Sequence, residues 1–411
     1  RWDFDPIPRD QTDATRDDWR GESSPSEGHA NVWAPMSVDS QRGLVFLPTT
    51  SPSPDFYGGL RPGDNRYANS VVALHGETGE VAWSFQTVHH DVWDYDVPAQ
   101  PGLYSVWRDG ESHDVVAQVT KTGFVFVLDR DTGEPFLPIE ERPVPQGGVA
   151  GEVLSPTQPF PVATPPVVPN TLSPDDAFGI TWFDKRTCRK KIEAARFEGL
   201  FTPPSEQGTI LRPFTGGGAN WGGAAFDPQR NLLVVNMSNM AHHVQLFEAD
   251  GIDEMREVFH DQEVSPQEGA PFGMKRELLM SPLGLPCTMP PWGVIAGIDL
   301  DSGAIVWRKT LGTTEDLAPG PGLQLGTPTL GGPAVTAGGL VFIGATFDHY
   351  IRAFDVSNGN EIWRGRLPAP AVATPMSYEW NGKQYVVIYS GGYSTLGTEY
   401  SDQVIAFALP E

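Results

Sequence analysis

A strand–turn–strand pattern that recurs at a regular interval constrains the fold of this chain most. Each copy has an apolar strand, a short polar turn with glycine, and a second strand. The copies are VVALHGETGEVAW (71–83), FVLDRDTGEPF (126–136), AGIDLDSGAIVW (296–307) and IRAFDVSNGNEIW (351–363). Tryptophan follows the glycine by four residues in three copies, and Leu137 takes that place in the other: Gly79/Trp83, Gly303/Trp307 and Gly359/Trp363. The spacing is 54 residues from Trp83 to Leu137 and 56 from Trp307 to Trp363.

A second hairpin pattern completes the repeat. It appears in WAPMSVDSQRGLVFLP (33–48), WGGAAFDPQRNLLVVN (221–236) and GGPAVTAGGLVFIGAT (331–346), and YEWNGKQYVVIYSGG (378–392) resembles it with an NG turn. Each unit therefore has four antiparallel strands in about 50 residues, which is typical of a β-propeller blade. The chain contains 45 Gly and 39 Pro, which favours turns and short strands over long helices. We expect the repeated tryptophan to pack between blades, with its indole N–H bonded to a neighbouring backbone carbonyl.

The region 140–290 fits the repeat poorly. It has one clear hairpin, a proline-rich run (156–170) and a polar, helix-like piece (246–262). We interpret it as blades with long insertions, which often cap one face of a propeller and shape a site. The chain then holds roughly five or six blades in one domain over 1–411. An open ring would expose edge strands, so we expect further blades from upstream sequence or a second chain.

The charge of the chain restricts its partners. With 52 acidic and 28 basic residues the net charge is −24, which argues against nucleic-acid binding and disfavours docking on an anionic membrane surface.

Cys188 and Cys287 allow one disulfide or two free thiols, and the absence of a CxxC motif argues against a thiolate zinc site. There is no apolar run of 18 residues that would form a transmembrane helix.

The stretch TVHHDVWDYDVPAQP (87–101) is the strongest candidate for a catalytic site. A carboxylate in a dry pocket beside a cation makes a useful general base, and Asp94 follows Trp93, which could form the wall of such a pocket. His89 and His90 could orient a substrate hydroxyl. The alternative is a loop built on Asx turns; a zinc site is a weaker interpretation, because adjacent histidines on a strand point to opposite faces.

Three further features are candidates for ligand contacts. Lys121, among small neighbours in TKTG, could reach into a central channel, and the alternative is a surface lysine. Trp33 lies outside the repeated position and could present a flat face to a planar ligand, or could be a core residue. The turn-rich loop 51–67 offers oxygen atoms suited to calcium, or is a solvated loop; these are on Ser53, Asp55 and Asp64.

These pieces together resemble the periplasmic domain of membrane-bound quinoprotein dehydrogenases that depend on pyrroloquinoline quinone (PQQ), above all the glucose and quinate/shikimate dehydrogenases. The resemblance runs through nearly the whole chain, and its specific segments are HHDVWD (89–94), TKTG (120–123), PTQPF (156–160), RFEGLFTPPSEQGT (196–209), SPLGLPC (281–287) and LPAPAVATPMSYEWNGKQYVV (367–387). It implies an eight-bladed propeller with PQQ near its axis, accompanied by Ca²⁺ or Mg²⁺.

The resemblance also implies roles for individual residues. Asp94 would be the catalytic base, Lys121 a cation on the quinone oxygens, and Trp33 the floor beneath PQQ. Asn236 would contact the cofactor, and Ser53 would lie near the metal ion with Asp94. Residues implied for the substrate side are Asp348 and Tyr393, besides His89 and His90. Glucose-type relatives carry His at the place of Tyr393, which argues against glucose as the substrate.

We therefore expect a PQQ-dependent dehydrogenase of a cyclic polyol or sugar, of the quinate/shikimate or glucose type. Its electrons would pass to a membrane quinone, and it would be periplasmic, held at the inner membrane by a segment outside this chain. The alternatives are a non-catalytic PQQ-like propeller that serves as a scaffold or assembly factor, and a sugar-binding lectin. Neither alternative needs Asp94, Lys121 and Trp33 in combination.

Overall fold

A computed structural model describes residues 1–8, 16–20, 30–317, 322–393 and 397–410. The strands are β1 (Ser37–Asp39), β2 (Leu44–Pro48), β3 (Ser70–His75), β4 (Val81–Gln86), β5 (Gly102–Arg108), β6 (Glu111–Val119), β7 (Val125–Asp129), β8 (Ile139–Pro143), β9 (Thr157–Pro161), β10 (Thr209–Leu211), β11 (Ala224–Asp227), β12 (Leu232–Ser238), β13 (His242–Glu248), β14 (Glu263–Pro266), β15 (Phe272–Leu278), β16 (Gly293–Asp299), β17 (Ile305–Thr310), β18 (Ala334–Val335), β19 (Leu340–Ile343), β20 (Tyr350–Asp355), β21 (Glu361–Arg366), β22 (Met376–Trp380), β23 (Lys383–Ser390) and β24 (Gln403–Ala408). The α-helices are α1 (Trp182–Ala194) and α2 (Ile252–Val258), and short 3-10 turns lie at Arg16–Asp18, Pro174–Asp176 and Ala249–Gly251.

Five antiparallel sheets in the described part of the chain form consecutive blades. The first is β1–β4, the second β5–β7, the third β11-β12-β16-β17, the fourth β18–β21 and the fifth β22–β24. Residues at or just before the start of each blade's first strand line a single cavity of about 620 Å³: Ser37, Gly102, Ala224, Pro333 and Thr374. The innermost strands therefore surround a common axis, and the predicted all-β propeller is confirmed.

Apolar side chains fill the space between neighbouring blades. Val71 and Trp83 pack with Val116 between the first and second blades, and Val127 packs with Leu233 between the second and third. Equivalent clusters join the third blade to the fourth and the fourth to the fifth. Central strands such as β3 are buried on both faces. This explains why their sequences are continuous apolar runs and do not alternate between apolar and polar residues.

The repeated tryptophan joins the first blade to the second and the third blade to the fourth, as predicted. Trp83 Nε1 donates to the carbonyl of Arg130 at 3.1 Å, and its ring lies over Gly133 of the following turn. Trp307 makes the same contacts with Val356 O, at 2.8 Å, and Gly359. Trp2, which the repeat pattern did not indicate, does the same at Gly76 O and Gly79. Trp363 instead packs on Phe407 of the fifth blade and is partly exposed.

The region 140–290 contains elements that lie outside the blades. The hairpin β8–β9 follows the second blade, and a sheet of order β10-β13-β15-β14 is built largely from chain inserted between β12 and β16. The piece predicted to be helical at 246–262 begins in β13, which extends to Glu248, and is helical in the 3-10 turn Ala249–Gly251 and in α2. This inserted sheet packs against the HHDVWD segment through Val244, Leu246 and Phe272.

Cys188 of α1 and Cys287, which follows β15, form a disulfide. Of the two alternatives that the sequence leaves open, the structure selects the bridge, which ties α1 to the loop after the inserted sheet. No helix in the described ranges has both the length and the apolar character needed to cross a bilayer.

Candidate active site

The segment 87–101 folds as a loop between β4 and β5, organised by the buried side chain of Asp91. Asp91 Oδ1 accepts from the N–H of Trp93 at 2.9 Å, and Oδ2 accepts from the N–H of Tyr95 at 2.9 Å. Oδ2 also accepts from Asn69 Nδ2 at 3.0 Å and from the hydroxyl of Ser51. Burial raises the pKa of Asp91 despite these donors. The Asx turn of the alternative interpretation is therefore present, and it shapes the loop around Asp94.

The two aromatic residues of the loop anchor it in the inserted region. Trp93 Nε1 donates to Thr202 O at 2.8 Å, and the Tyr95 hydroxyl donates to Pro213 O at 2.6 Å. Between these anchors Asp94 adopts a φ of 57°, in the left-handed region that aspartate tolerates better than most residues. The loop can therefore direct both the carbonyl and the carboxylate of Asp94 to the same side.

That side holds Lys121, in the turn between β6 and β7. Its Nζ donates to Asp94 Oδ1 at 2.8 Å, to Asp94 O at 2.9 Å and to Asp96 Oδ2 at 2.8 Å. The side chain is only 7% exposed, so Lys121 is not a surface lysine. A Cβ at Gly217 would lie 2.7 Å from Lys121 Cγ, so the glycine-rich loop 216–218 can pass beside the lysine only without a side chain at that position.

Asp96 links Trp33 to the same cluster. Trp33 Nε1 donates to Asp96 Oδ2 at 3.3 Å, the oxygen that also accepts from Lys121, and the N–H of Ser51 donates to Asp96 Oδ1 at 2.6 Å. The indole of Trp33 is 46% exposed, so it is not a core residue. The structure thus brings together Trp33, Asp94 and Lys121, three residues separated by up to 88 positions in the sequence.

A second cation reaches Asp94 from the inserted sheet. Arg276 on β15 places Nη1 3.4 Å from Asp94 Oδ2 and donates to the hydroxyl of Thr215 at 2.6 Å. Glu263 on β14 holds the other edge of the guanidinium, at 3.0 Å from Nε and 2.6 Å from Nη2. His242 Nδ1 lies 3.2 Å from the Thr215 hydroxyl. Burial, together with Arg276 and Lys121, holds the pKa of His242 well below its usual range.

The two carboxylates beside Lys121 differ in their protonation. Burial raises the pKa of Asp94 to about 7, with contributions from Asp96 and Asp55, while Lys121 and Arg276 oppose the rise. Burial also disfavours the charge of Asp96, but the charge and hydrogen bond of Lys121 and the donors of Ser51 outweigh it and lower the pKa of Asp96. Burial disfavours the Lys121 ammonium, and both aspartates more than compensate, so the pKa of Lys121 is raised. Asp94 is therefore the group poised to exchange a proton near neutral pH.

The two histidines lie away from Asp94. His89 contacts Gln86 Oε1 at 2.7 Å and Glu141 Oε1 at 3.1 Å, toward the β8–β9 hairpin. His90 is buried, with its ring nitrogens 2.7 Å from Gly63 O and 2.7 Å from Glu152 Oε1. These contacts differ from the expectation that both histidines orient a substrate. The two histidines precede the Asp91 turn, and the φ of 45° at His90 directs its ring into the fold.

Other predicted contact residues lie in two different environments. Asp348 is fully buried and binds Arg352, the N–H of Thr313 and the hydroxyl of Thr346. Asp348 therefore has a structural role. This differs from the expected contact with substrate, because its carboxylate is used in the ion pair with Arg352. Tyr393 is half-buried, and its ring centroid lies 5.5 Å from that of Trp221, which lines the axial cavity.

Asn236, on β12, is buried and donates from Nδ2 to Gly331 O at 2.9 Å. Within the described residues its Oδ1 has no hydrogen-bond partner. A buried acceptor left without a donor is costly, so this atom is a natural contact for a ligand N–H or O–H.

The loop 51–67 contacts the cluster at its start, and Arg61 further along donates from Nη2 to Asp91 O at 2.6 Å. Ser51 contacts Asp91 and Asp96, and the charge of Asp55 acts on Asp94. Asp64 is exposed, and its carbonyl accepts from the N–H of His90, so it lies apart from the cluster. No group of three His, Cys, Asp or Glu side chains in the described ranges is arranged to hold a metal ion. The metal role of Ser53 with Asp94 stays a prediction.

Comparison with known proteins gives the context of this geometry. The family model described as PQQ, the glucose/ethanol/alcohol dehydrogenase β-propeller domain, matches residues 1–386. The chain belongs to this family. The resemblance drawn from HHDVWD and the accompanying segments is thus confirmed, and the family consists of oxidoreductases.

Curated members of the PQQ dehydrogenase family are similar over most of this chain. A quinoprotein glucose dehydrogenase of Escherichia coli K12 is 42% identical over 100% of the chain and 52% of its own length. A quinate/shikimate dehydrogenase (quinone) of Acinetobacter baylyi is 39% identical over 100% of the chain and 52% of its length. The chain therefore spans about half the length of these relatives.

Solved structures share the propeller fold at lower identity. A europium-containing methanol dehydrogenase matches with a TM-score of 0.61 and 22% identity, over 94% of this chain and 55% of its own. A quinohemoprotein alcohol dehydrogenase from Comamonas testosteroni gives a TM-score of 0.61 and 21% identity, over 93% of this chain and 48% of its own. These likenesses support the fold alone.

The described residues fit PQQ, a planar ortho-quinone with three carboxylates. Trp33 offers an exposed flat face, Lys121 a buried cation, and Asn236 an acceptor without a partner. For a divalent ion the fit is poorer, because Lys121 and Arg276 already contact the two oxygens of Asp94.

Two residues of the cluster escaped the sequence analysis. Asp96 lies inside the quoted stretch, but nothing in its spacing distinguishes it from Asp94. Arg276 lies 182 residues from Asp94, in an inserted sheet that follows no repeat. Only the three-dimensional packing of that sheet against the HHDVWD loop reveals its place.

Proposed function

We propose that this chain oxidises a secondary alcohol of a cyclic polyol or sugar, of the quinate/shikimate or glucose type, with PQQ as the cofactor. The observation that carries the proposal is the buried cluster in which Lys121 Nζ lies 2.8 Å from Asp94 Oδ1 and 2.8 Å from Asp96 Oδ2, beside the exposed indole of Trp33. A non-catalytic scaffold has no need for a buried ammonium shared by two carboxylates.

Asp94 is the proposed base. PQQ, when bound, supplies an electrophilic quinone that accepts the hydride of the carbinol carbon. Asp94 Oδ2 takes the hydroxyl proton, because Oδ1 is held by Lys121 at 2.8 Å whereas the contact of Oδ2 with Arg276 is longer, at 3.4 Å. A pKa of about 7 suits a general base that works near neutral pH.

Lys121 and Trp33 are the proposed cofactor contacts, with Asn236. Lys121 holds a fixed positive charge where negative charge develops on the quinone oxygen, and such charge is most effective in a site that excludes water. Trp33 fixes the plane of a ring laid against it. The Oδ1 atom of Asn236 gains the donor that it lacks in the protein alone.

The substrate and the setting are part of the proposal. Tyr393, beside Trp221 at the axial cavity, is the proposed substrate contact, and with His absent there we favour a quinate-type substrate over glucose. The similar proteins include a glucose dehydrogenase and a quinate/shikimate dehydrogenase. We further propose a periplasmic enzyme at the inner membrane that passes its electrons to a membrane quinone, with Ca²⁺ or Mg²⁺ at PQQ and further blades supplied by upstream sequence or a second chain.

Reconstitution with PQQ and calcium tests this proposal. Turnover of quinate, shikimate and glucose is measured with an artificial electron acceptor, for the wild type and for Asp94→Asn. We expect Asp94→Asn to lose turnover by on the order of 10²-fold or more while it still binds PQQ, because the base is removed and the cofactor contacts remain. Asp64→Asn, an exposed carboxylate of the nearby loop, is the matched control. Full turnover in Asp94→Asn would remove Asp94 from its assigned role.

A further inference from the structure

Helix α1 is strongly basic in a chain that is otherwise acidic. The whole chain has a net charge of −24, yet five of its 28 Lys and Arg residues lie within the 13 residues of α1: Lys185, Arg186, Arg189, Lys190 and Lys191. All five are exposed. Arg189 is paired with Glu193 at 2.8 Å and with Asp175 at 3.0 Å, so part of this charge is balanced locally. The remaining cations make α1 a local positive surface.

Large apolar side chains are exposed at the start of the same helix. Trp182 is 64% exposed and Phe183 74%, and Ile180 and Leu283 beside them are 64% and 59% exposed. The N–H of Leu283 lies 3.4 Å from Oδ1 of Asp184, which brings the loop after β15 next to the first turn of α1. Contiguous exposed apolar groups on a soluble domain usually mark a contact surface.

The aromatic and basic side chains share the outward face of α1. Trp182, Arg186 and Arg189 follow one another at helical spacing, and the Arg186 guanidinium lies over the Trp182 ring at 5.2 Å. The opposite face is buried through Asp184, Cys188 and Ile192. The helix therefore displays one mixed face of indole, phenyl and cationic groups away from the protein.

The outward face of α1 is supported by a disulfide and by apolar packing beneath the helix. Cys188 is bridged to Cys287, and Ile192 packs with Ile210 and Leu279 beneath the helix. Lys191 Nζ donates to Met280 O at 3.0 Å. The outward side chains are thus presented without the need to order a loop on binding, which lowers the entropic cost of association.

We propose that the outward face of α1, together with Ile180 and Leu283, docks on an anionic phospholipid surface. Trp and Phe side chains insert at the level of the headgroups, and Lys and Arg attract anionic lipids. Screening confines this attraction to charges within about 10 Å, so the cluster on α1 acts on the surface while the distant acidic residues contribute little. The proposal therefore sets aside, for this face alone, the expectation from net charge that an anionic membrane is disfavoured.

The inference goes beyond the proposed function and does not depend on PQQ or substrate. The two are connected through β15, which carries Arg276 to Asp94 and is followed directly by Leu279 of the cluster beneath α1. Docking through α1 would therefore bring the inserted sheet that covers the catalytic cluster close to the bilayer.

Vesicle flotation of the metal- and cofactor-free chain tests the inference. Vesicles of phosphatidylcholine alone are compared with vesicles that contain about one-third phosphatidylglycerol, at low and high ionic strength. We expect binding to the anionic vesicles only, weakened by salt and reduced by about tenfold in the double variant Trp182→Ser/Phe183→Ser and in Arg186→Glu/Lys190→Glu. Trp107→Ser, which removes an exposed tryptophan from β5, should bind as the wild type does.

Several outcomes would overturn the inference. Equal binding by the wild type and the α1 variants would show that another surface is used, and equal binding to both vesicle types would exclude recognition of anionic lipid. Concentration-dependent self-association that Trp182→Ser abolishes would identify a second copy as the partner. Thermal unfolding verifies that the variants are folded. Turnover of the reconstituted enzyme with a soluble acceptor should be unchanged in the α1 variants, so failure of the proposed catalysis is seen separately.

Discussion

Asp94 is held between two cations that come from different parts of the chain. Lys121, in a turn of the second blade, donates to Oδ1, and Arg276, on the inserted sheet, approaches Oδ2. Glu263 and Thr215 fix the guanidinium of Arg276 in place. The orientation of the proposed base therefore depends on a residue outside the propeller repeat.

Replacement of Arg276 tests this positioning role. We expect Arg276→Gln to lower kcat by on the order of 10²-fold with little change in PQQ affinity, because Asp94 loses one of its two fixed contacts and small displacements of a reacting group are costly. Arg276→Lys should recover part of the loss. Steady-state kinetics of the reconstituted enzyme measures both. Arg142→Gln, which breaks an exposed pair with Glu140, is the control, and an unchanged kcat in Arg276→Gln would exclude the role.

The raised pKa of Asp94 predicts a pH dependence of stability. Because its pKa is about 7 in the folded protein and 3.8 as its ordinary value, the folded state binds more protons between these values, so ionisation of Asp94 destabilises the fold as pH rises. In Asp94→Asn this contribution is absent. The stability of the variant relative to the wild type should therefore increase from pH 4 to pH 7, by at most about 1.4 kcal/mol per pH unit. Urea unfolding with a chelator present measures it, and a constant difference across the window would contradict the shift.

Sequence reasoning found the residues of the cluster that local patterns mark. Asp94 and Lys121 lie in short motifs, and Trp33 stands out because it breaks the repeated position. The fate of His90 and Asp348 was not predictable in this way, because His90 contacts Glu152, 62 residues away, and Asp348 accepts from the N–H of Thr313, 35 residues away, as well as from the nearby Arg352. A sequence motif indicates which residue types lie close together. The packing of distant segments determines which of these side chains can contact a ligand.

At the scale of the elements, the contact between tryptophan and glycine joins the blades. A Cβ on Gly359 would collide with the ring of Trp307, and one on Gly133 would lie 2.5 Å from Trp83. Both glycines also have positive φ, 67° and 74°. The turn glycine is therefore required twice, for its backbone conformation and for the close approach of the indole.

Two glycine substitutions separate these requirements. Gly382, in the turn between β22 and β23, has a φ of 75° and open space around it, so Gly382→Ala should cost about 1 kcal/mol from backbone strain alone. Gly359→Ala should cost about 2–4 kcal/mol, because the Trp307 ring must also move. Chemical denaturation measures both free energies of unfolding. Equal losses would show that the ring contact contributes nothing to the junction between blades.

The elements that the sequence predicted are those that repeat. The blades follow the recurring strands and turns, and the repeat predicts that its tryptophan lies at a blade junction. The inserted sheet was not predictable, because its strands β13 to β15 interrupt a blade between β12 and β16 and pair with one another. This sheet packs against the HHDVWD loop, and such a contact leaves no period in the sequence.

At the scale of the molecule, the blades and the insertion place the proposed site beside an axial cavity whose described lining residues do not include Trp33, Asp94 or Lys121. The cavity of about 620 Å³ lies among the starts of the inner strands. Trp33 lies two residues before Pro35, which lines this cavity. The inserted sheet covers Asp94 from the other side through Arg276. This arrangement encloses the proposed base and leaves the indole face accessible to a planar cofactor.

Equilibrium titration of PQQ into the cofactor-free protein and its tryptophan variants tests the central claim most directly, namely that the cofactor lies against Trp33 in this cluster. We expect Trp33→Ala to weaken PQQ binding by about tenfold or more, because a stacking face of this kind contributes on the order of 1–2 kcal/mol. Trp107→Ala, which removes an exposed indole on β5, should bind PQQ as the wild type does. Unchanged affinity in Trp33→Ala would contradict the account.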